Sequence, residues 1–133
     1  MTNIDERSDA RERALHLLYE AQSKGISINE VIDAQVVMPD DLVLLLARGA
    51  ESSSGEADPL IESKSRGWTL KRMPILDLAI MRMALFELLE RSDVPTAVVL
   101  DEAVDLAKRF STDDSGRFVN GVLAAIASEV RHG

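Results

Sequence analysis

The chain contains no cysteine, which excludes disulfide bonds and thiolate metal ligands. It has only two histidines, so a histidine-based metal site has few ligands to draw on. Neither a glycine-rich phosphate loop nor a G-x-S-x-G nucleophile motif occurs in it. We therefore expect no metal, no cofactor and no catalytic activity.

Aromatic residues are also scarce, at 4% of the chain, so the core has to be built from aliphatic side chains. No apolar run approaches the roughly 20 residues that a membrane-spanning helix needs. The first residues are polar and acidic and lack the order of a signal peptide. Together with the missing cysteines, these features lead us to expect a cytoplasmic protein.

The remaining composition is that of a folded protein. The 133 residues are 46% hydrophobic and 29% charged, which fits one domain over residues 1–133. A net charge of -8 argues against a nucleic-acid partner. However, eight acidic and only two basic residues lie within 29–64, so most of the excess acid is confined to one segment. A separate, weakly basic face therefore remains compatible with the sequence.

Apolar residues recur with helical spacing along most of the chain. From about residue 9 to residue 24 they fall on one face, and Gly25 follows as a terminating glycine. The segment 74–91 is apolar on almost every side, which is typical of a helix in the middle of a bundle. No alternating pattern indicates a strand. We predict an all-α fold, a compact single-domain bundle of about six to seven helices, with N-terminal helices in about residues 5–66 and C-terminal helices in about 67–131.

Two features of the helical segments need an explanation. The last helix has to run through Asn120 and Gly121, although a glycine inside a helix costs about 1 kcal/mol relative to alanine. We expect another backbone to approach Gly121 closely, and the amide of Asn120 to be half-buried and to join two helices. The apolar segment 74–91 carries charges that must reach solvent, a partner or another charge, and we assign them to a face for a protein partner. These charged residues are Asp77, Arg82 and Glu87.

Two motifs near the C-terminus resemble the signature of a known family. Residues 115–123 read Ser-x-x-Phe-Val-Asn-Gly-Val-Leu, and Asp-Glu-Ala-Val-Asp-Leu-Ala-Lys precedes them at 101–108. In this order and at this spacing they resemble the NusB family of transcription antitermination factors. Residues 10–19 resemble the arginine-rich start of that family, although Ser8 and Asp9 stand where relatives commonly carry arginine.

The resemblance implies a non-catalytic, all-helical adaptor. Such proteins bind the boxA element of ribosomal RNA leaders, together with the ribosomal protein NusE, in the transcription elongation complex. On matching positions, Arg11, Asp114 and Phe118 would touch RNA, and Tyr19 would lie close to it. Pattern alone favours a core position for Phe118. Charge and proximity in the sequence extend the set, and the residues assigned to RNA binding are Arg7, Arg11, Arg13, Tyr19, Lys108, Arg109, Asp114, Arg117 and Phe118.

This hypothesis requires the first and last helices to lie side by side and to form one modestly cationic patch. Two other interpretations stay open. A relative with a reduced arginine motif could bind a basic protein and have little or no affinity for RNA. A similar helical domain is also joined to ribosomal RNA methyltransferases, but this chain has no room for a cofactor-binding βαβ unit. The sequence does not decide between a monomer and a homodimer.

Overall fold

A computed structural model describes residues 3–131 of the chain, and their side chains from Glu6 onwards. The described residues form helices and connections without a strand, which confirms the all-α class. A single 3-10 turn, Leu70–Arg72, precedes the fifth α-helix. The helices are α1 (Asn3–Lys24), α2 (Ile28–Asp33), α3 (Asp41–Ser52), α4 (Ser54–Lys64), α5 (Ile75–Glu90), α6 (Thr96–Phe110) and α7 (Ser115–Val130).

Helix α5 is the centre of the bundle, as its apolar sequence predicts. It packs against α1, α3, α4, α6 and α7. Ile80, Met81 and Leu85 on this helix are completely buried. A helix packed against five others has little surface left for solvent, which explains why its sequence has almost no polar side.

The first and last helices do not lie side by side as expected. Helix α1 packs mainly against α2, α3 and α5, whereas α7 packs against α4, α5 and α6. Helix α6 connects them, because it lies along α7 and its side chains also reach α1. The first and last helices are therefore connected mainly through α6.

The expected burial at the Asn-Gly pair of α7 is wrong. Asn120 and Gly121 are both exposed, and no atom lies within 4 Å of the place where a Cβ of Gly121 would stand. The physical reason is helical geometry: Val119 and Val122 face the core, so the two residues between them point outwards. Close packing against a glycine occurs at Gly49 instead, where an added Cβ would lie 2.4 Å from the ring of a buried phenylalanine.

None of the described helices combines the length and the hydropathy that crossing a membrane would require.

Candidate nucleic-acid interface

Arg11 lies in the interior of the bundle, with 3% of its surface exposed. Its Nε and Nη2 atoms donate to the two carboxylate oxygens of Glu87 on α5, both at 3.0 Å. Its Nη1 atom donates to Glu102 on α6 at 3.1 Å. The expected contact between Arg11 and RNA therefore needs correction, because the guanidinium is buried and already bound to two carboxylates.

Arg91 also donates to Glu87, at 3.1 Å, and Ser8 donates to Glu102. Arg11, Glu87, Arg91 and Glu102 together form what we call the buried charge cluster. It ties α1, α5 and α6 together where their surfaces meet. Glu87 is only 1% exposed, so it cannot belong to a face for a protein partner.

The other two charged residues assigned to the partner face, Asp77 and Arg82, also bind neighbouring elements of the bundle. Arg82 makes two hydrogen bonds to the carboxylate of Asp58 on α4, at 2.8 and 2.7 Å. Asp77 is 2% exposed and accepts hydrogen bonds from Ser111 at 2.6 Å and Ser115 at 3.0 Å. The assignment of Asp77 and Glu87 to a partner face is wrong because both are buried, whereas the assignment of Arg82 stays a prediction, since its side chain is 23% exposed.

Asp77 instead holds the turn between α6 and α7. Ser115 Oγ donates to Asp77 and also accepts the backbone N–H of Thr112 at 3.1 Å. This network anchors the buried side of the turn, while Asp113 and Asp114 on its outer side remain exposed. The turn therefore presents carboxylates to solvent from a fixed position.

The surface between α1 and α6 carries paired charges. Arg109 forms ion pairs with Glu12 and, at 3.2 Å, with Asp105. The hydrogen bonds that Arg109 donates to Glu12 and Asp105 raise the pKa of its guanidinium above the ordinary value. The Cζ atom of Arg109 lies 4.8 Å from the centre of the Phe110 ring. The rings of Phe110 and His16 are nearly perpendicular, with 5.1 Å between their centres. Arg109 is thus exposed but largely neutralised by its neighbours.

A shallow groove between α6 and α7 contains the exposed cations Lys108 and Arg117. An added Cβ at Gly116 would lie 2.9 Å from Lys108 Cγ, so the glycine lets the lysine stem lie against α7. The groove is also lined by Asp101, Asp105, Asp113 and Asn120. Its acidic residues outnumber its cations, so this surface is mixed in charge rather than modestly cationic as we expected.

Phe118 packs partly against the core and partly against a second aromatic ring. It is half-buried on α7, and its ring lies 5.6 Å from the ring of Trp68, with 38° between their planes. Trp68 belongs to the connection between α4 and α5 and is 49% exposed. Trp68 was not among the predicted site residues, although its place between basic residues in an aromatic-poor chain was a usable signal.

The remaining predicted site residues lie on α1. Arg7 is exposed, and Tyr19 is 44% exposed. Arg13 is exposed as well, but it donates to Gln35 at 2.7 Å and lines a groove with Met38 beyond the end of α2. Arg13 therefore points away from α6, and the structure does not bring it together with the α6–α7 groove.

Comparisons with known proteins identify the family and similar structures. A family model described as the NusB family matches residues 8–128. The chain is 46% identical over 127 residues to the transcription antitermination protein NusB of Saccharopolyspora erythraea, covering 91% of this chain and 86% of that protein. Its structure is similar to that of T. maritima NusB, with a TM-score of 0.82 and 29% identity over 92% of this chain and 91% of that one. A NusB chain solved with NusE and dsRNA gives a TM-score of 0.79 and 26% identity, over 97% of this chain and 99% of that one.

Proposed function

The chain belongs to the NusB family of transcription antitermination factors, and from this premise we propose that it binds boxA-type single-stranded RNA of ribosomal RNA operons. In this proposal it binds the RNA together with the ribosomal protein NusE and acts in the transcription elongation complex. It has no catalytic role and works in the cytoplasm. The observation that carries the proposal is the similarity, over 97% of this chain, to the NusB chain of a complex with NusE and dsRNA.

The RNA-binding surface begins at the α6–α7 groove. Lys108 and Arg117 are exposed there and can contact phosphates, and the ring of Phe118 follows Arg117 in the first turn of α7. Cations for phosphates and an aromatic ring for a splayed base are the groups that single-stranded RNA requires. Asp114 repels phosphate unless its carboxylate accepts from a base edge, so it limits affinity and selects sequence.

Residues of α1 contribute at the periphery of this surface. Arg7 and Tyr19 are exposed and can reach a longer RNA, whereas Arg109 adds little net charge because Glu12 and Asp105 accompany it. Arg11 stabilises the packing of α1 against α5 and α6 through the buried charge cluster and makes no contact with RNA itself.

The overall charge favours a second, protein partner. A chain with a net charge of -8 binds a polyanion weakly, because most of its surface repels phosphate. The acidic segment 29–64 is exposed at several carboxylates and is complementary to a basic protein. A basic partner that also touches RNA would raise the affinity of the assembly above that of either protein alone.

The test is a titration of labelled boxA-type RNA with the protein alone, with NusE alone and with both. We expect weak binding by the protein alone and much tighter binding by the pair, with a scrambled RNA bound less tightly. If the protein binds NusE but adds no affinity for RNA, the alternative holds, in which this chain is a protein-binding relative. The mixed charge of the α6–α7 groove is the observation that favours that alternative. Light scattering with and without RNA determines whether a homodimer covers the surface.

A further inference from the structure

The connection between α4 and α5 is the most basic stretch of an acidic protein. Residues 64–72 read Lys-Ser-Arg-Gly-Trp-Thr-Leu-Lys-Arg and contain four cations and no carboxylate. We call this segment the basic connection. It follows directly on the acidic segment of the chain, so the charge changes sign at the end of α4.

Three of the four cations of the basic connection form no ion pair with a described side chain, although the carboxylate of Glu62 accepts the N–H of Leu70 in this segment at 3.3 Å. Lys64 pairs with Glu129 on α7. Arg66, Lys71 and Arg72 are exposed and form no ion pair within 4.0 Å among residues 3–131. Exposed cations without a carboxylate keep their full charge for an external anion.

The backbone of the basic connection holds its tryptophan in a defined place. Arg66 and Gly67 adopt left-handed conformations, with φ of 48° and 89°. This turn lets the N–H of Trp68 donate to the carbonyl of Ser65 at 3.1 Å. Ser65 is buried and donates to the carbonyl of Ile61 at 2.5 Å, so the turn is anchored to the last turns of α4. Trp68 is therefore exposed to solvent from an ordered turn.

Trp68 also forms a continuous aromatic surface with the proposed RNA contact Phe118. One side of the indole meets the Phe118 ring at 5.6 Å, and about half of the residue remains open to solvent. A tryptophan needed only for the core would bury more of its surface. Here the ring pair connects the first turn of α7 with the three unpaired cations of the basic connection.

We propose that the basic connection is a second contact region for single-stranded RNA, in which Trp68 stacks on a base and Arg66, Lys71 and Arg72 bind the flanking phosphates. This inference rests on the proposed function and extends its RNA path from the α6–α7 groove across Phe118 to the α4–α5 end. Stacking surfaces combined with an electrostatic track are the usual means of binding single strands. Cations that precede and follow the tryptophan in the sequence, three of them without an ion pair, favour a polyanion over a protein ligand.

The experiment uses Trp68 as its own probe, because it is the only tryptophan of the chain. The full-length protein with NusE is titrated with a boxA-type RNA of about 16 nucleotides, a length comparable to known single-strand sites. We expect the fluorescence of Trp68 to be quenched on RNA binding, once the signal of a parallel titration of free NusE is subtracted. Trp68→Ala should weaken RNA binding about 5- to 100-fold, and Trp68→Phe should restore most of it.

Charge is tested separately with Lys71→Ala/Arg72→Ala. Loss of two phosphate contacts should lower the slope of log affinity against log salt by about 1.4 for a single strand. Leu45→Ala is the matched control, because Leu45 is 46% exposed on α3, and it should bind RNA like the wild type. Circular dichroism confirms that each variant is folded.

The outcomes separate this inference from the proposed function. If the wild type with NusE binds RNA and Trp68→Ala binds it equally well, the second contact region is overturned and the proposed function stands. If Trp68→Ala loses affinity for NusE but not for RNA, the basic connection is a protein-binding surface and the inference is overturned. If the wild type binds no RNA even with NusE, the proposed function fails and the second contact region fails with it.

Discussion

The buried charge cluster and the basic connection contain the same kinds of cation in opposite environments. Arg11 is bound to Glu87 and Glu102 in the interior, whereas Arg72 is exposed and forms no ion pair with a described side chain. The first arginine stabilises helix packing, and the second is available to an anion. Whether an arginine can bind RNA therefore depends on whether nearby carboxylates already pair with it. An arginine-rich motif alone does not locate the interface.

Energetics explain why the two regions cannot exchange roles. A buried guanidinium is tolerated only when carboxylates compensate for its lost hydration, and removal of one partner leaves the others buried and unpaired. An exposed cation contributes little to stability, but it releases counterions when it meets a phosphate. Substitutions in the buried charge cluster should thus change stability, and substitutions in the basic connection should change the salt dependence of RNA binding.

The largest effect is expected for Arg11→Ala. It leaves Glu87 and Glu102 without their main cation, which should destabilise the fold by about 3–5 kcal/mol in denaturant unfolding. The control is Arg13→Ala on the same helix, which should change stability by less than about 0.5 kcal/mol. Protein that remains folded should keep the wild-type salt slope. A slope reduced by about 0.7 would instead place Arg11 in contact with phosphate and remove the distinction between the two regions.

Asp77→Ala is expected to have the next largest effect. It removes the acceptor for Ser111 and Ser115, which should cost about 1–3 kcal/mol and loosen the α6–α7 turn. Amide hydrogen exchange of residues 111–115 should become faster than in the wild type. Asp113→Ala, an exposed acid of the same turn, serves as the control and should leave exchange unchanged. Unaltered exchange in Asp77→Ala would show that the buried carboxylate does not hold the turn.

Gly121→Ala should stabilise the protein by about 1 kcal/mol. Gly121 is exposed within α7, and nothing lies within 4 Å of an added Cβ, so alanine gains helix propensity without a clash. Gly49→Ala should do the opposite and destabilise by about 1–3 kcal/mol, because its Cβ would meet the Phe86 ring at 2.4 Å. Thermal unfolding of both variants measures the difference. A destabilised Gly121→Ala would mean that the outer face of α7 is packed against something.

The smallest effect is expected for Asp114→Asn. It removes one exposed negative charge at the start of α7, worth about 1 kcal/mol beside a phosphate in water. RNA binding should therefore tighten about two- to fivefold at low salt, and the gain should shrink as salt is added. Asp93→Asn, an exposed acid after α5, is the control. Equal or weaker RNA binding by Asp114→Asn at matched salt would contradict a contact near this carboxylate.

The helical pattern of the sequence predicted the fold well. The segment 74–91 is apolar on nearly all sides, and α5 lies at the centre of the bundle for that reason. Ser27 also caps α2, since its Oγ accepts the backbone N–H of Glu30 at 3.1 Å. Signals of this kind act over one or two helical turns, so they can be read without knowing where the other helices are.

The candidate site was less predictable. Glu87 and Glu102 lie 76 and 91 positions from Arg11, and no local pattern indicates that they enclose it. Phe118 was identified, but nothing in its own helix indicates that the ring of Trp68, from a distant connection, lies against it. The glycine of α7 does not indicate close packing, because Asn120 and Gly121 are exposed and the helix tolerates the small energetic cost of a glycine there.

Hydropathy periodicity and cap residues alone determined the helices of this protein, the central place of α5 and the all-α class. The tertiary structure decided which charges are paired, which arginine is buried and which aromatic rings meet. The physical reason is the range of the interactions. Helix formation depends on residues three or four positions apart, whereas the state of a charge depends on every group that the fold brings within a few ångströms of it.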